Sequence, residues 1–144
     1  MENKIWYSIQ NPRGFKHLKG VLYVQSYTIT SGILSKKVQA SIDSFNNNHD
    51  WKDMWTMEDA IERLNNNHHL FLGVDKDDKP LAHLWFNKDS LYNVYVNPVR
   101  EDGYGVSFVK CCLNSIRYDT VKLYCDDWNV RAQSFFEKVG FTKI

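Results

Sequence analysis

The sequence predicts a mixed α/β fold built on an antiparallel hairpin, a parallel strand pair and flanking helices. Two apolar runs, Leu70 to Val74 and Leu81 to Phe86, lie on either side of a polar connection, as the two strands of a hairpin do. A strand-like run, a helical pattern and another strand-like run then follow one another from Leu91 to Cys125. That alternation predicts two parallel strands joined by a crossover helix.

The size and composition of the chain fit one domain that spans residues 1–144. The chain has a mass of 17.0 kDa, and its 43% hydrophobic residues are enough to fill a single core. Its formal net charge is +1 and it contains no strongly basic run. We therefore expect no nucleic-acid partner.

The three cysteines form no recognisable disulfide or metal-binding pattern. Cys111 and Cys112 are adjacent, and together with Cys125 they do not match the spacing of a zinc site. We expect reduced thiols and no bound metal, as is usual in the cytoplasm. The start of the chain lacks an apolar stretch of signal-peptide length, and no run approaches about 20 apolar residues. A cytoplasmic protein without membrane contact is expected.

Three elements can be predicted in the first half of the chain, and one stretch stays ambiguous. Ile5 to Ile9 favours a strand, whereas Ile33 to Phe45 repeats apolar residues at helical spacing. Thr56 precedes Asp59 by one helical turn, a pair that is typical of a capped helix start. Gly20 to Thr30 is compatible with either a strand or a helix, because its apolar residues fit both periods.

The second half continues with two more strands and two helices. Leu91 to Val96 predicts a third strand, and Val121 to Cys125 predicts a buried one. A final helix is predicted to begin near Asn129 and to end at Gly140, because Asn and Gly are common residues at those two ends. The helix between the strands carries an apolar stripe suited to covering a sheet, formed by Val106, Val109, Leu113 and Ile116.

The segment from Arg100 to Gly105, Arg-Glu-Asp-Gly-Tyr-Gly, connects the third strand to this stripe-bearing helix. Two glycines let a backbone turn tightly at a helix start, where amide groups without internal partners can bind phosphate. A plain structural turn is the alternative for this segment taken alone. A dinucleotide-binding loop would need a third glycine where Phe108 stands, and a P-loop would need a Gly-Lys-Ser/Thr ending.

Two motifs in this order resemble those of the GCN5-related N-acetyltransferase (GNAT) superfamily. Arg100 to Gly105 is similar to the family's Arg/Gln-x-x-Gly-x-Gly/Ala loop, which holds the pyrophosphate of acetyl-coenzyme A. Asn129 to Phe141 is similar to the Asn-x-x-Ala-x-x-Phe-Tyr-x-x-x-Gly-Phe segment, which closes the other side of that cofactor. The resemblance covers roughly residues 69–144.

The resemblance implies a GNAT-like acyl-coenzyme A N-acyltransferase fold. Such a fold has a mostly antiparallel central sheet, one parallel pair of strands that splay apart, and flanking helices. The family usually continues through a further strand after its Gly-Phe, whereas this sequence has three residues after Phe141. The resemblance therefore also implies a truncated C-terminal strand or a sheet completed by a partner chain, which is compatible with a homodimer.

The resemblance also implies which residues bind acetyl-coenzyme A. Arg100 would contact phosphate, and backbone groups of the third strand would pair with the pantetheine arm. Glu101 and Asp102 depart from the family pattern, and we expect them to point into solvent because carboxylates beside a pyrophosphate would repel it. The full set implied for the cofactor is Val94, Tyr95, Val96, Arg100, Glu101, Asp102, Gly103, Tyr104, Gly105, Val106, Asn129 and Phe136.

The catalytic groups are less well defined by the resemblance. The family's glutamate base corresponds here to Tyr92, and its tyrosine acid corresponds to Phe136, which cannot donate a proton. Tyr92, Tyr124 and His83 are substitute candidates, with packing or solvent contact as the alternative for each. Aromatic residues that could line an acceptor pocket or fill the core are Trp6, Tyr7, Tyr23, Tyr27, Trp51 and Trp55.

The function that the resemblance implies is transfer of an acetyl group from acetyl-coenzyme A to a primary amine, by direct attack in a ternary complex. Two alternatives stay open. One is a coenzyme A-binding or interaction module that keeps the fold but has lost its chemistry, and the other is a domain that works through protein contacts alone. The sequence does not name the amine, because a fold does not fix its substrate.

Overall fold

Among the residues that the structure describes, a seven-stranded sheet has two helices packed on each of its faces. The computed structural model describes residues 3–12, 23–27, 36–47, 56–75, 77, 79–98 and 103–144. In chain order the elements are β1 (Lys4–Gln10), β2 (Tyr23–Tyr27), α1 (Lys36–Asn47), α2 (Met57–Asn65), β3 (His69–Val74), β4 (Pro80–Asn87), β5 (Ser90–Val96), α3 (Tyr104–Ser115), β6 (Thr120–Asp126), α4 (Val130–Val139) and β7 (Thr142–Lys143).

The strands lie in the order β2-β3-β4-β5-β6-β1-β7. Hydrogen-bonded neighbours are antiparallel except for β5 and β6, which run parallel and are joined by α3. The predicted hairpin of β3 and β4 and the predicted crossover are both confirmed. The hairpin connection is held by Asp75, whose Oδ1 accepts hydrogen bonds from the backbone N–H groups of Asp77 at 2.8 Å and Lys79 at 2.9 Å.

The sheet continues beyond β6 through the N-terminal strand of the same chain. β1 pairs with β6 along its whole length, from Lys4 opposite Asp126 to Gln10 opposite Thr120. β7 is only two residues long, and it pairs with the far edge of β1. The position beside β6 is therefore filled by β1, and β7 lies on the other side of β1.

The larger part of the core lies between the sheet and the helices α3 and α4. The predicted stripe of α3 faces this core, since Val109, Leu113 and Ile116 are buried and Val106 is partly buried against the same cluster. On the opposite face, Ile42 of α1 and Leu64 of α2 pack with sheet residues in a smaller cluster. The two clusters hold the sheet between two helical layers, as in other mixed α/β domains.

Local sequence signals account for most element boundaries. Thr56 and Asp59 form a complete capping box at the start of α2, because each side chain accepts the other residue's backbone N–H. α4 begins after its cap Asn129 and ends at Gly140, as predicted. The ambiguous stretch is a strand over Tyr23–Tyr27, and its remaining residues lie outside the described part of the chain. Within the described residues, no helix is long and apolar enough to cross a membrane.

Candidate active site

A cleft opens where β5 and β6 diverge. The two strands share one paired position, Ser90 opposite Lys122, beside which the Lys122 N–H donates to the carbonyl of Asp89 at 2.8 Å. Beyond this point no further pairing joins them in the described residues, although β5 stays paired with β4 along its length. The resulting cleft has a volume of about 340 Å³. It is lined by Lys4, Leu91, Tyr92, Asn93, Val94, Leu123, Tyr124, Cys125, Asp126, Asn129, Ala132 and Phe136.

The backbone of β5 presents unpaired groups to this cleft. The Asn97 N–H donates to the Leu81 carbonyl of β4 at 2.7 Å, and antiparallel ladders alternate between bonded and non-bonded positions. Counting back from Asn97, the N–H and C=O groups of Tyr95 pair with β4, whereas those of Val94 and Val96 point towards β6. The contacts expected of the central strand therefore shift from Tyr95 to its two neighbours.

A bulge in β5 controls the side chains at the middle of the cleft. Leu91 pairs with Phe86 and Asn93 pairs with Trp85, so Tyr92 is the extra residue that β5 inserts between these two pairs. A bulge of this kind bends the strand and redirects side chains. Tyr92 packs against the cluster beneath α1 and α2, whereas Leu91 belongs to the core beneath α3.

The phenol of Tyr92 is hydrogen-bonded within the protein. Its hydroxyl lies 2.8 Å from Nδ1 of His68, and the two rings meet edge to face at 5.3 Å. Burial raises the pKa of Tyr92 well above its usual value, and the nearby Arg63 guanidinium only partly offsets this rise. The phenol is therefore neutral at neutral pH and cannot act as the general base that the family's glutamate provides.

Tyr124 stands on the opposite strand, with its ring on the sheet face that lacks α3 and α4. It is 44% exposed, packs against Trp6 at a centroid distance of 5.2 Å, and has the Lys4 ammonium 4.3 Å above its ring centroid. Trp6 is 46% exposed on the same face. This exposed aromatic pair, with the cleft beside it, is a surface on which a cationic group can rest.

Helix α4 forms the other wall of the cleft. Asn129 caps the helix, since its Oδ1 accepts the Ala132 N–H at 3.1 Å. The Nδ2 group of Asn129 has no partner in the described part of the chain and stays available to the cleft. Phe136 lines the same wall and packs edge to face on Phe135 and Phe141, at 5.1 and 5.8 Å.

The start of α3 lies beyond the end of β5. Gly103 precedes the helix in a left-handed conformation with φ 82, and it has no side chain with which to cap the first amides. The Tyr104 side chain turns into the core, where its ring stacks on Phe108 at 6.2 Å. Only the backbone of Tyr104 therefore remains as a candidate for phosphate contact. Residues 99–102, which include Arg100, Glu101 and Asp102, lie outside the described residues.

Several residues given a role from sequence have structural surroundings that limit that role. Tyr7 is buried, with its hydroxyl donating to Oε1 of Glu137 at 3.2 Å, so it fills the core. Cys125 lines the cleft, but burial raises the pKa of its thiol to about 11. Trp51 and Trp55 lie outside the described residues. No group of three or more His, Cys, Asp or Glu side chains suited to a metal occurs among the residues that are described.

His83, a catalytic candidate from the sequence, belongs to a polar chain near the cleft whose other two members were not predicted. His83 is 2% exposed, with Nδ1 lying 2.9 Å from Oγ of Ser41 and Nε2 lying 2.6 Å from Oδ1 of Asn93. Burial lowers the pKa of His83 from 6.5 to about 4, so the ring is neutral at neutral pH. With both nitrogens engaged and the ring buried, His83 has no direct access to a substrate. A lone Asn within a strand gives no sequence signal for such a chain.

Comparison with known proteins identifies the fold through solved structures alone. No family model and no curated protein matches the sequence. A protein from Drosophila matches with a TM-score of 0.70 over 98% of this chain at 10% identity. A tandem GNAT protein from the clavulanic acid biosynthesis pathway matches with a TM-score of 0.55 over 97% of this chain at 9% identity. The chain spans 47% and 50% of these two proteins, about half of their length.

A third structure is similar in size to this chain. An aminoglycoside acetyltransferase from an uncultured soil metagenomic sample, in complex with sisomicin, matches with a TM-score of 0.59 at 16% identity. The match covers 83% of this chain and 87% of the other protein. This chain has the fold of the GNAT superfamily, as its two motifs predicted, and at such low identity the likeness concerns the fold alone.

Proposed function

We propose that this protein is an N-acetyltransferase that transfers an acetyl group from acetyl-coenzyme A to a primary amine. The observation that carries the proposal is the cleft between β5 and β6, which begins directly after the pair Ser90 and Lys122. Separating two adjacent strands of a sheet costs free energy, because each backbone group that loses its partner must find another one. An extended ligand with amide groups supplies such bonds.

The described groups around the cleft fit the pantetheine arm of coenzyme A. Val94 and Val96 offer backbone donors and acceptors along one wall, and Asn129 offers a side-chain donor on the other. The first amides of α3, at Tyr104 and Gly105, have no acceptors within the helix and suit the pyrophosphate. Together these groups would hold an arm that runs from the start of α3 into the cleft.

The reaction itself needs little from the side chains. The amine nitrogen attacks the thioester carbonyl carbon, so that a C–N bond forms and the carbonyl oxygen takes the negative charge. The C–S bond then breaks, the thiolate of coenzyme A leaves and is protonated by water, and the surplus proton of the amine also passes to water. Because a thioester is already activated, holding the two reactants in line supplies a large part of the acceleration.

The acceptor amine would approach from the face that carries Tyr124. Its ring and the Asp126 carboxylate both line the cleft, and each attracts an ammonium group. Lys4 shows that a primary ammonium fits against this ring. The phenol of Tyr124 remains a candidate hydrogen-bonding group for the reacting atoms on this face, whereas that of Tyr92 is bonded to His68.

A module that binds coenzyme A without chemistry is the second candidate. The Tyr92 hydroxyl is bonded to His68, which favours this candidate, and so does Phe136 in the cleft wall, where the resemblance implies a tyrosine acid. Neither residue can exchange a proton with the reactants as its family counterpart does. Binding without turnover would identify this case.

Turnover is tested by incubating the purified protein with acetyl-coenzyme A and a panel of primary amines. Spermidine, an α-amino acid, a lysine-containing peptide and sisomicin cover four classes of acceptor, the last because a protein of similar fold was solved with it. Release of free coenzyme A together with an acetylated product supports the proposal. Tight binding of acetyl-coenzyme A without any acetylated product favours the inactive module.

A further inference from the structure

The Ser41–His83–Asn93 chain engages the oxygen end of the Asn93 amide. Asn93 Oδ1 can only accept a hydrogen bond, so the His83 nitrogen that lies 2.6 Å from it must carry the proton. Nδ1 of the neutral ring is then an acceptor, and Ser41 donates to it at 2.9 Å. In the observed orientation of the Asn93 amide each member of the chain has one role, and the opposite tautomer of the ring would require both the amide and the Ser41 hydroxyl to turn.

This arrangement leaves the Nδ2 group of Asn93 without a bond to the protein. Asn93 is partly exposed and lines the cleft, and Nδ2 has no partner in the described part of the chain. A half-buried amide whose oxygen is fixed and whose nitrogen is unbound presents two N–H donors in one orientation. Such pre-oriented donors stabilise negative charge far better than water does, because they need no reorganisation.

The position of Asn93 along β5 is also the one where the thioester is expected. It follows Tyr92, the bulge residue at the position of the family's glutamate, and it precedes Val94, whose backbone N–H faces the cleft. Asn93 and Val94 therefore supply donors from two consecutive residues of the strand that lines the cleft. A donor cannot accept the proton of an amine, so the acyl oxygen, not the acceptor amine, is the group that Nδ2 suits.

We propose that Asn93 is a catalytic residue whose Nδ2 donates a hydrogen bond to the acyl carbonyl oxygen, and that His83 and Ser41 are positioning residues that hold its amide in that orientation. The inference rests on the proposed function. As the amine adds to the carbonyl carbon, the electron pair of the C=O bond moves to the oxygen and meets the Nδ2 hydrogens. When the C–S bond breaks, the C=O bond reforms, and Asn93 neither gains nor loses a proton.

Carbonyl spectroscopy tests this contact without knowledge of the acceptor. Acetyl-coenzyme A labelled with ¹³C at the thioester carbonyl is bound to the wild-type protein and to Asn93→Ala, and the carbonyl resonance is recorded. A hydrogen bond withdraws electron density from the carbon, so we expect a downfield shift in the wild type that is lost in the variant. Affinity for acetyl-coenzyme A should change by less than about threefold, because the contact strengthens only as charge develops.

The matched pair Ser41→Ala and Ser44→Ala tests the positioning role. Both serines lie on α1, but Ser44 bonds to the Tyr95 hydroxyl at 2.6 Å and has no link to Asn93. Ser41→Ala should weaken the downfield shift, because His83 then loses the hydrogen bond that holds its ring in place against the Asn93 amide. Ser44→Ala should leave it unchanged. Asn93→Asp keeps the acceptor oxygen for His83 and serves if the alanine variant does not fold.

The outcomes separate this inference from the proposed function. If the wild-type protein does not bind the labelled thioester, both are overturned. If it binds, and the carbonyl resonance is the same in the wild type and in a folded Asn93 variant, Asn93 is not the donor while the proposed function stands. Loss of the shift in the Asn93 and Ser41 variants, with the shift retained in Ser44→Ala, supports the full inference.

Discussion

Gly105 of α3 and Phe135 of α4 lie so close together that a Cβ on the glycine would be 3.1 Å from Cε2 of the phenylalanine. The same Cβ would be 3.2 Å from Cγ2 of Val96 on β5. Gly105 is therefore needed where α3, α4 and β5 converge. Gly103 has a different reason to be glycine, namely its left-handed backbone at the start of α3.

The two glycines should respond differently to the same substitution. Gly105→Ala forces a methyl group against Phe135 and Val96, and we expect the free energy of unfolding to fall by about 1–3 kcal/mol. Gly103→Ala strains a left-handed turn and displaces the first amides of α3, so we expect it to weaken acetyl-coenzyme A binding at least about tenfold. Thermal unfolding and calorimetric titration of both variants measure these effects. If the wild-type protein and folded Gly103→Ala bound acetyl-coenzyme A with equal affinity, the start of α3 would not be part of the cofactor site.

Stability should depend on pH through His83. Its pKa is lowered in the fold from 6.5 to about 4, so the unfolded state binds the proton more tightly. The stability that the neutral ring contributes is fully present above pH 6.5 and is lost as the pH falls through the folded-state pKa of about 4. The loss amounts to about 3 kcal/mol at most.

Denaturant unfolding of wild-type protein and His83→Gln, at several pH values between 7 and about 4, measures this contribution. Glutamine stays neutral over the range, so its stability should fall less with acid than that of the wild type. Carboxylates titrate in both proteins and cancel in the comparison. Parallel curves for the two proteins would show that His83 is not buried in its neutral form.

Phe136→Tyr should place a phenol in the cleft wall. The ring lines the cleft together with Asn129 and Ala132, and the sequence resemblance implies a tyrosine acid at this position. If protonation of the leaving thiolate limits turnover, we expect kcat to rise, while the KM for acetyl-coenzyme A stays similar. Steady-state kinetics with an acceptor from the amine panel measures both constants. An unchanged kcat would indicate that water protonates the thiolate without limiting the rate.

The variant Tyr92→Phe tests whether the Tyr92 hydroxyl has a structural or a catalytic role. The Tyr92 hydroxyl is bonded to Nδ1 of His68, and its removal should lower the free energy of unfolding by about 1 kcal/mol. We expect kcat to change by less than about threefold, because this phenol holds α2 and β3 against β5. Tyr124→Phe is the matched variant on the facing strand, where the hydroxyl is exposed. A large fall in kcat for Tyr92→Phe alone would assign the phenol to the reaction.

The sequence predicted those parts of the fold that depend on local patterns. Each such pattern depends on residues that are close together in the sequence. Examples are the capping box of Thr56 and Asp59, the apolar stripe of α3 and the polar hairpin connection after β3. The position of β1 between β6 and β7 was not predictable in this way. It pairs Lys4 with Asp126, and nothing in either segment specifies so distant a neighbour.

The candidate site likewise has features that the sequence predicts and features that depend on the pairing of distant strands. The start of α3 and the cap at Asn129 follow from motifs, whereas the backbone groups that face the cleft depend on the phase of the ladder between β4 and β5. The resemblance implies the same cofactor contact for Tyr95 and for its two neighbours. Only the pairing with β4 shows which of their backbone groups face the cleft. The link from His83 to Asn93 is equally hidden, because it joins two strands and is completed by a serine from α1.

Calorimetric titration of the purified protein with acetyl-coenzyme A tests the central claim most directly, with free coenzyme A and NAD as controls. The cleft between β5 and β6 should bind acetyl-coenzyme A with a micromolar dissociation constant and should not bind NAD, which has no pantetheine arm to pair with Val94 and Val96. No heat with acetyl-coenzyme A at millimolar concentration, from protein that unfolds cooperatively, would contradict the assignment of this cleft to an acyl-coenzyme A.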